Sequence, residues 1–247
     1  MEQKGIWTVS AKPGLSIVVP VYNEQESIAP LLEEIVTVTG EDTAAVEIIV
    51  VDDGSTDGTA GILEEFAARW PVLKVVSFRE NAGQSAAMAC GFQEASFDHV
   101  VAMDGDGQSD PADIPRIAAL LHDFPLVCGY RARRRDSLWK RWGSLLANRV
   151  RRAVTGDQVI DIGCSLKGFH REPLQRLYFF DGSHRFLPVL MEMEGCAMTQ
   201  IEVHHRPRSA GRSKYGNLDR LARTWQDLLG MRWLQSRRIH YRIQDRD

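Results

Sequence analysis

The apolar positions of this chain fall into short runs separated by longer stretches of helical spacing. Leu15–Val21, Val46–Val51, Leu73–Phe78, His99–Met103 and Leu126–Tyr130 are runs rich in Val, Ile and Leu. Between them, Gln25–Val38 places Ile28, Leu31, Leu32 and Ile35 on one helical face. Asp57–Trp70 does the same with Ile62, Leu63 and Phe66; Gln84–Ala95 is alanine-rich, and Pro111–His122 opens on proline. Strands that are apolar without alternation are buried on both faces, so the beat predicts a parallel sheet with helices on either side. The second half is less regular. Ser137–Val154 has helical spacing, Ile160–His170 reads as a strand and Phe186–Glu194 as a short helix. Met198–His204 reads as a strand, Gly211–Asn217 as a loop and Leu218–Arg238 as a final helix. No repeat, low-complexity tract or linker divides the 247 residues, which predicts one α/β domain with a C-terminal elaboration.

Composition narrows the class. Hydrophobic residues make up 44% and charged residues 26%, as in ordinary soluble globular proteins. Cys90, Cys128, Cys164 and Cys196 are widely spaced without a CxxC pair, which predicts reduced, mostly buried thiols. No signal-peptide core and no run of about 20 apolar residues is present, so the expected location is the cytoplasm. The net charge of −3 conceals an asymmetry. Residues 131–152 carry nine Lys or Arg against Asp136 alone, and residues 204–247 carry eleven against four acids. Two basic blocks on an otherwise acidic body are either solvated surface or a contact for an anionic partner such as phosphate, nucleic acid or an anionic membrane.

The candidate chemistry lies just after the strands. Strand one runs into Pro20–Glu24 (PVYNE), strand two into Asp52–Thr59 (DDGSTDGT), strand three into Arg79–Gln84 (RENAGQ) and strand four into Asp104–Gln108 (DGDGQ). In an open parallel α/β sheet these carboxyl ends share one edge, and ligands bind in the crevice outside it. An N-cap accounts for Thr56 or Asp57 but not for Asp52 and Asp53, which are suited to accept hydrogen bonds from a nucleoside. Neither GxGxxG nor GxxxxGK[ST] follows the first strand, which argues against a dinucleotide site or a P-loop. Asp104 and Asp106 point the same way in an extended segment, so both carboxylates and the Gln108 amide oxygen can face one ion. Hard oxygen donors suit Mg²⁺ or Mn²⁺, which complete their shells with water and a substrate diphosphate. An isolated DxD is equally a solvated turn. Asp110, before Pro111, reads as a helix cap.

Together these residues resemble a family 2 glycosyltransferase of the GT-A fold. The resemblance runs through PVYNE, VVDDGSTDGT, RENAGQSAAMACGF and MDGDGQSDP, in that family's order. It continues through GYR (Gly129–Arg131), SLLAN (Ser144–Asn148), DIGCSLKGFHRE (Asp161–Glu172), HRFLPVL (His184–Leu190) and HHRPRSAGRSKYG (His204–Gly216). These later stretches are similar to the branch that uses polyprenyl-phosphate acceptors, which includes dolichyl-phosphate sugar synthases. The resemblance implies a Rossmann-like, mostly parallel sheet flanked by helices, with residues 14–130 as the nucleotide-sugar half and 131–215 as the acceptor half. Residues 1–13 are expected to form a tail, and 216–247 a basic amphipathic helix and tail. It further implies that Pro20, Tyr22, Glu24, Asp52, Asp53, Gly83, Gln84 and Asp104 hold a UDP- or GDP-sugar, and that Asp104, Asp106 and Gln108 hold Mg²⁺ or Mn²⁺. Arg131, Lys140, Ser144, Arg208, Ser213 and Lys214 would bind the acceptor phosphate or donor diphosphate. Lys140 stands where arginine is expected, which loses bidentate geometry and keeps the charge. Catalytic roles fall to Asp106, Asp161, Arg131 and Arg208.

Three activities remain open at this level. A polyprenyl phosphate is already anionic and needs cations rather than a strong base, whereas a hydroxyl acceptor needs a base in reach. Asp161 is the candidate base, or else it orients neighbouring arginines. A non-catalytic nucleic-acid-binding protein is the third, remoter reading, since it leaves Asp104, Asp106 and Gln108 without a task, and no nucleic acid is expected. Many members of the branch carry membrane helices after the catalytic domain, and this sequence has none. Attachment to the cytoplasmic face is then expected through the Trp-, Leu- and Arg-rich helices at 137–154 and 218–238, through a membrane-protein partner, or through a homodimer. The same helices can instead pack their Trp and Leu inward. A single displacement predicts inversion at the anomeric carbon.

Overall fold

The computed structural model describes residues 14–40, 45–132, 149–207 and 217–238. Among these residues seven strands form one sheet: β1 (Leu15–Val21), β2 (Val46–Asp52), β3 (Leu73–Ser77), β4 (His99–Ala102), β5 (Leu126–Tyr130), β6 (Lys167–His170) and β7 (Met198–Glu202). Their order is β3-β2-β1-β4-β6-β5-β7. The helices are α1 (Ile28–Thr39), α2 (Thr59–Arg69), α3 (Gln84–Glu94), α4 (Ile114–Leu120), α5 (149–155), α6 (Arg171–Gln175), α7 (Leu187–Met193) and α8 (Asn217–Ser236). The expected helix at 137–154 is described only from residue 149, and the loop expected at 211–217 only at Asn217.

The strands bury both faces, which is why they read as unbroken apolar runs. Ile17, Val19, Ile48, Val50, Val101 and Val127 pack with Leu32 and Ile35 of α1, Leu63 of α2 and Ile114 and Ile117 of α4. The alternate residues Val18, Ile49, Val51, Val100, Ala102 and Cys128 pack with Ala87, Met88 and Phe92 of α3 and Leu187 and Met191 of α7. The approach of α3 is close: a Cβ on Gly91 would lie 2.4 Å from Val18 Cγ1, so only glycine fits without a shift.

The sheet is mostly parallel, as expected, with β6 alone running antiparallel to both β4 and β5 and sitting between them. The remaining pairs, β1 with β2 and β4, β2 with β3 and β5 with β7, are parallel. β6 is only four residues of mixed polarity, and such a pattern does not report strand direction. One expectation needs correction. The segment 160–166 is not part of a strand. Cys164 N–H donates to Asp161 O at 3.2 Å, closing a turn that lifts Ile160–Leu166 off the ladder, and the extended backbone begins only at Lys167. Asp110 behaves as expected: its carboxylate accepts from Ala112 N–H at 3.0 Å, capping the turn into α4.

Helix α8 packs Leu228 and Met231 against Phe186, Val189 and Leu190. Its other side carries Trp225, Leu229 and Trp233, which are 51%, 50% and 62% exposed. No helix among the described residues is long and apolar enough to cross a membrane.

Candidate active site

The exits of β1, β2, β3 and β4 meet at one edge of the sheet, and each loop is hydrogen-bonded to the next. Asn23, at the exit of β1, has a left-handed backbone (φ 53°), and its Oδ1 accepts from Thr56 N–H at 2.7 Å. Its own N–H donates to Ser55 Oγ at 2.9 Å, and Glu24 N–H donates to Thr59 Oγ1 at 2.9 Å. The second loop holds the third through Asp53, whose Oδ1 accepts from Ala82 N–H at 2.7 Å. Its Oδ2 accepts from Gly83 N–H and Asn81 Nδ2, each at 2.9 Å. Burial pushes the Asp53 carboxyl up, the bonds from Ala82 and Gly83 pull it back, and neighbouring Asp52 adds to the rise. Asp52 accepts from Ser55 N–H at 3.0 Å. Gln84 opens α3 and donates from Nε2 to Asp104 Oδ1 at 2.7 Å, joining the third exit to the fourth.

Asp104, Asp106 and Gln108 then line an open cleft, together with Ser109, Arg131, Ser165, His204 and His205. Burial pushes the Asp104 carboxyl up to about 6, with the Asp106 carboxylate as the next cause. Two carboxylates held this way repel, and a divalent cation is the species that relieves it. No cluster of three or more His, Cys, Asp or Glu among the described residues is assembled to hold a metal. The candidate donor set is instead two carboxylates and a carboxamide, hard oxygens that suit Mg²⁺ or Mn²⁺ and leave room for water and a diphosphate.

Arg131 leaves the end of β5 and enters the same cleft. Asp161 grips it in a two-pronged pair, with Nε to Oδ2 at 2.7 Å and Nη2 to Oδ1 at 3.0 Å. Burial pulls the Arg131 guanidinium down, but the Asp161 bonds outweigh it and hold its pKa above the usual value. The segment after β7 closes the far wall. Ser109 and His205 form an isolated antiparallel bridge, and Arg206 N–H donates to Gln108 O at 2.8 Å. The Arg206 side chain reaches Glu34 Oε2 at 2.7 Å and Asp110 Oδ1 at 2.9 Å, pinning that segment to α1 and the α4 cap.

The structure thus brings Asp104, Asp106, Gln108 and Arg131 into one cleft, with Gln84 bonded to Asp104 and Asp161 to Arg131. Pro20, Tyr22, Glu24 and Asp52 lie along the adjoining β1 and β2 exits, and Asp53 and Gly83 are bonded to each other. Lys140, Ser144, Arg208, Ser213 and Lys214 fall outside the described residues. Sequence reasoning missed Ser165, His204 and His205 as cleft residues. The strand-end rule would have found the histidines, since β7 is also parallel to its neighbour and exits at the same edge.

A sheet of this order, with paired acids at its carboxyl edge, is that of the GT-A fold. Glucosyl-3-phosphoglycerate synthase from Mycobacterium tuberculosis, solved with Mn²⁺, uridine diphosphate and glucosyl-3-phosphoglycerate, matches 90% of this chain and 80% of its own. Its TM-score is 0.67 at 21% identity. The same enzyme solved with Mg²⁺ and uridine diphosphate gives a TM-score of 0.68 at 21% identity, over 90% of this chain and 79% of its own. The chain belongs to the family described as glycosyl transferase family 2, whose model matches residues 16–178. It is 35% identical over 218 residues to the undecaprenyl-phosphate 4-deoxy-4-formamido-L-arabinose transferase of Yersinia pestis (strain Pestoides F), covering 87% of this chain and 66% of that one. The protein of the same description from Pseudomonas fluorescens (strain SBW25) is 38% identical over 219 residues, 87% of this chain and 63% of that one. The chain therefore spans just under two thirds of the length of these relatives.

Proposed function

We propose that this chain is a metal-dependent inverting glycosyltransferase that moves a sugar from a nucleoside-diphosphate sugar to a polyprenyl phosphate. The observation that carries the reading is the pairing of Arg131 with Asp161 beside Asp104, Asp106 and Gln108. Both Asp161 oxygens bond to the guanidinium, which favours an orienting role for Asp161 over that of a base. A phosphate acceptor has no need of one, because a phosphomonoester with a second pKa of about 6 is already doubly charged near neutrality. What such a reaction needs is fixed positive charge where phosphates crowd, and Arg131 supplies it in a partly water-excluded cleft. The relatives described as undecaprenyl-phosphate transferases support the same acceptor class.

Asp104, Asp106 and Gln108 would hold the cation, which when bound supplies Lewis-acid stabilisation of the departing diphosphate. Gln84 orients the Asp104 carboxylate, and the Ser109–His205 bridge fixes the backbone that presents Gln108. Asp52, with Pro20, Tyr22 and Glu24, would read the nucleoside in this reading. Asp53 is committed to the 81–83 loop and acts there by shaping the wall. Lys140, Ser144, Arg208, Ser213 and Lys214 complete the acceptor-phosphate site in this reading. The exposed Trp225, Leu229 and Trp233, with exposed Arg232 on the same helix and exposed Arg237 and Arg238 just beyond its end, fit an anionic membrane surface, where the lipid acceptor resides. In this reading the enzyme works at the cytoplasmic face of the membrane.

The test is to incubate the protein with Mg²⁺ or Mn²⁺, a panel of UDP- and GDP-sugars, and undecaprenyl or dolichyl phosphate, and to weigh the lipid product. A cation-dependent mass gain of one sugar with inverted anomeric configuration is expected. Transfer to a glycan hydroxyl with no glycolipid formed would overturn the acceptor assignment.

A further inference from the structure

A buried ion pair lies behind the cleft, in no contact with it that the proposed chemistry uses. Arg151 on α5 and Asp157 are each only 6% exposed, and Arg151 Nη1 stands 2.8 Å from Asp157 Oδ1. The pair is costly. Arg151 Nε is buried without a partner among the described residues, and burial pulls the guanidinium pKa down despite Asp157. Glu192 of α7 also faces them, its carboxyl pushed up by burial and by Asp157, and Asp161 is a further acid acting on Arg151. Replacing a buried ion pair by apolar residues of similar volume is often neutral or stabilising, so the charges themselves do not account for the pair. Apolar residues would not hold the loop that follows.

That loop is gripped at one residue. Arg151 Nη2 donates to Val159 O at 2.6 Å, Arg152 Nε and Nη2 donate to the same oxygen at 3.2 and 3.0 Å, and Asp157 Oδ1 accepts from Val159 N–H at 2.9 Å. Both backbone groups of Val159 are therefore fixed by the pair and its neighbour. Gln200 of β7 steadies the two flanking residues, accepting from Ile160 N–H at 2.7 Å and donating to Gln158 O at 3.1 Å. Two residues beyond Val159 comes Asp161, whose carboxylate sets the guanidinium of Arg131 in the cleft.

We propose that the Arg151–Asp157 pair is a positioning device for Arg131, acting through Val159 and Asp161. Its effect on turnover rests on the glycosyltransferase reading; its effect on Arg131 does not. With only Ile160 between Val159 and Asp161, play at the clamp passes almost undamped to the carboxylate. A shift of about 1 Å in a group that positions a reacting phosphate costs on the order of 100-fold in rate.

The experiment uses Arg151→Met/Asp157→Leu, which removes both charges and leaves neither buried alone. Asp157→Asn, which keeps an acceptor for Val159 N–H, serves as the milder variant should the first not fold. The primary readout is hydrogen exchange at the Arg131 Nε–H by ¹⁵N NMR, assigned by its loss in Arg131→Lys. We expect the folded variant to exchange this proton about tenfold faster or more and to lose turnover in proportion, with no further loss when the changes are placed on Arg131→Lys. Native-like exchange at Arg131 in the folded variant would overturn the proposal, as would a turnover loss that persists in full on the Arg131→Lys background. If the native protein transfers no sugar at all, the function proposed above fails, and the exchange measurement still decides this inference.

Discussion

Asp161→Asn separates the two roles its carboxylate can play. In the native cleft its oxygens take two charge-assisted bonds from Arg131, at 2.7 and 3.0 Å, with the side chains only 9% and 15% exposed. Asparagine keeps one acceptor and turns an NH₂ towards the guanidinium, so at least one such bond is lost. A hydrogen bond to a charged group contributes about 1.5–3 kcal/mol, which corresponds to a slowing of roughly 10- to 150-fold if Arg131 acts only when held. Removing Arg131 itself, by Arg131→Ala, should slow transfer by about 10²–10³, the usual loss for one preorganised charge-stabilising donor. The orienting role makes the two changes non-additive: Asp161→Asn/Arg131→Ala should be no slower than Arg131→Ala alone. A general base would contribute its own factor of about 10²–10⁴ regardless of Arg131. The assay is the initial rate of nucleotide release with saturating polyprenyl phosphate. A double variant slowed by the product of the single effects would refute the orienting role and point to a hydroxyl acceptor.

Other outcomes follow from the geometry. Gly91→Ala drives a methyl to within 2.4 Å of Val18 Cγ1 between α3 and β1, and should destabilise the fold by about 1–3 kcal/mol in urea unfolding. Asp53→Asn leaves one acceptor for Ala82, Gly83 and Asn81, and should weaken nucleotide binding as the 81–83 loop loosens, measured by calorimetry. His99 stacks on His170 and meets His122 edge-on, with ring centroids 5.4 and 5.0 Å away. Burial, then those two imidazoles, hold its pKa below 6.5. The unfolded chain thus takes up the proton first, so stability should fall as pH drops below 6.5 and level off beneath the folded pKa. His99→Leu should flatten that slope in thermal unfolding between pH 5 and 7. Trp225→Ser/Trp233→Ser should release the protein from anionic vesicles in co-sedimentation without lowering its Tm, since both rings face solvent.

The sequence carried much of the fold because burial on both faces leaves a plain signal. β1 and β5 begin and end where their apolar runs do, and the carboxyl-end rule gathered the DDGS, NAGQ and DGDGQ clusters before any coordinates. What failed did so for physical reasons. Ile160–Leu166 alternates like a strand, yet the Asp161–Cys164 turn, closed by a backbone bond that no side-chain pattern encodes, takes it off the sheet. Asp52 and Asp53 look alike in sequence, and nothing there shows that the Asp53 carboxylate also holds the 81–83 loop. Arg151 falls in the basic block 131–152, where nothing in the sequence marks it for burial against Asp157, six residues on.

The central claim is that the cleft between β4 and β7 takes a nucleoside diphosphate through a divalent cation. Calorimetric titration of UDP and GDP into the protein, with Mn²⁺ and then with EDTA, tests it most directly. Binding of one nucleotide should require Mn²⁺, and Asp104→Asn or Asp106→Asn should remove that requirement together with the affinity. Equal affinity in Mn²⁺ and EDTA, unaffected by either substitution, would contradict the account.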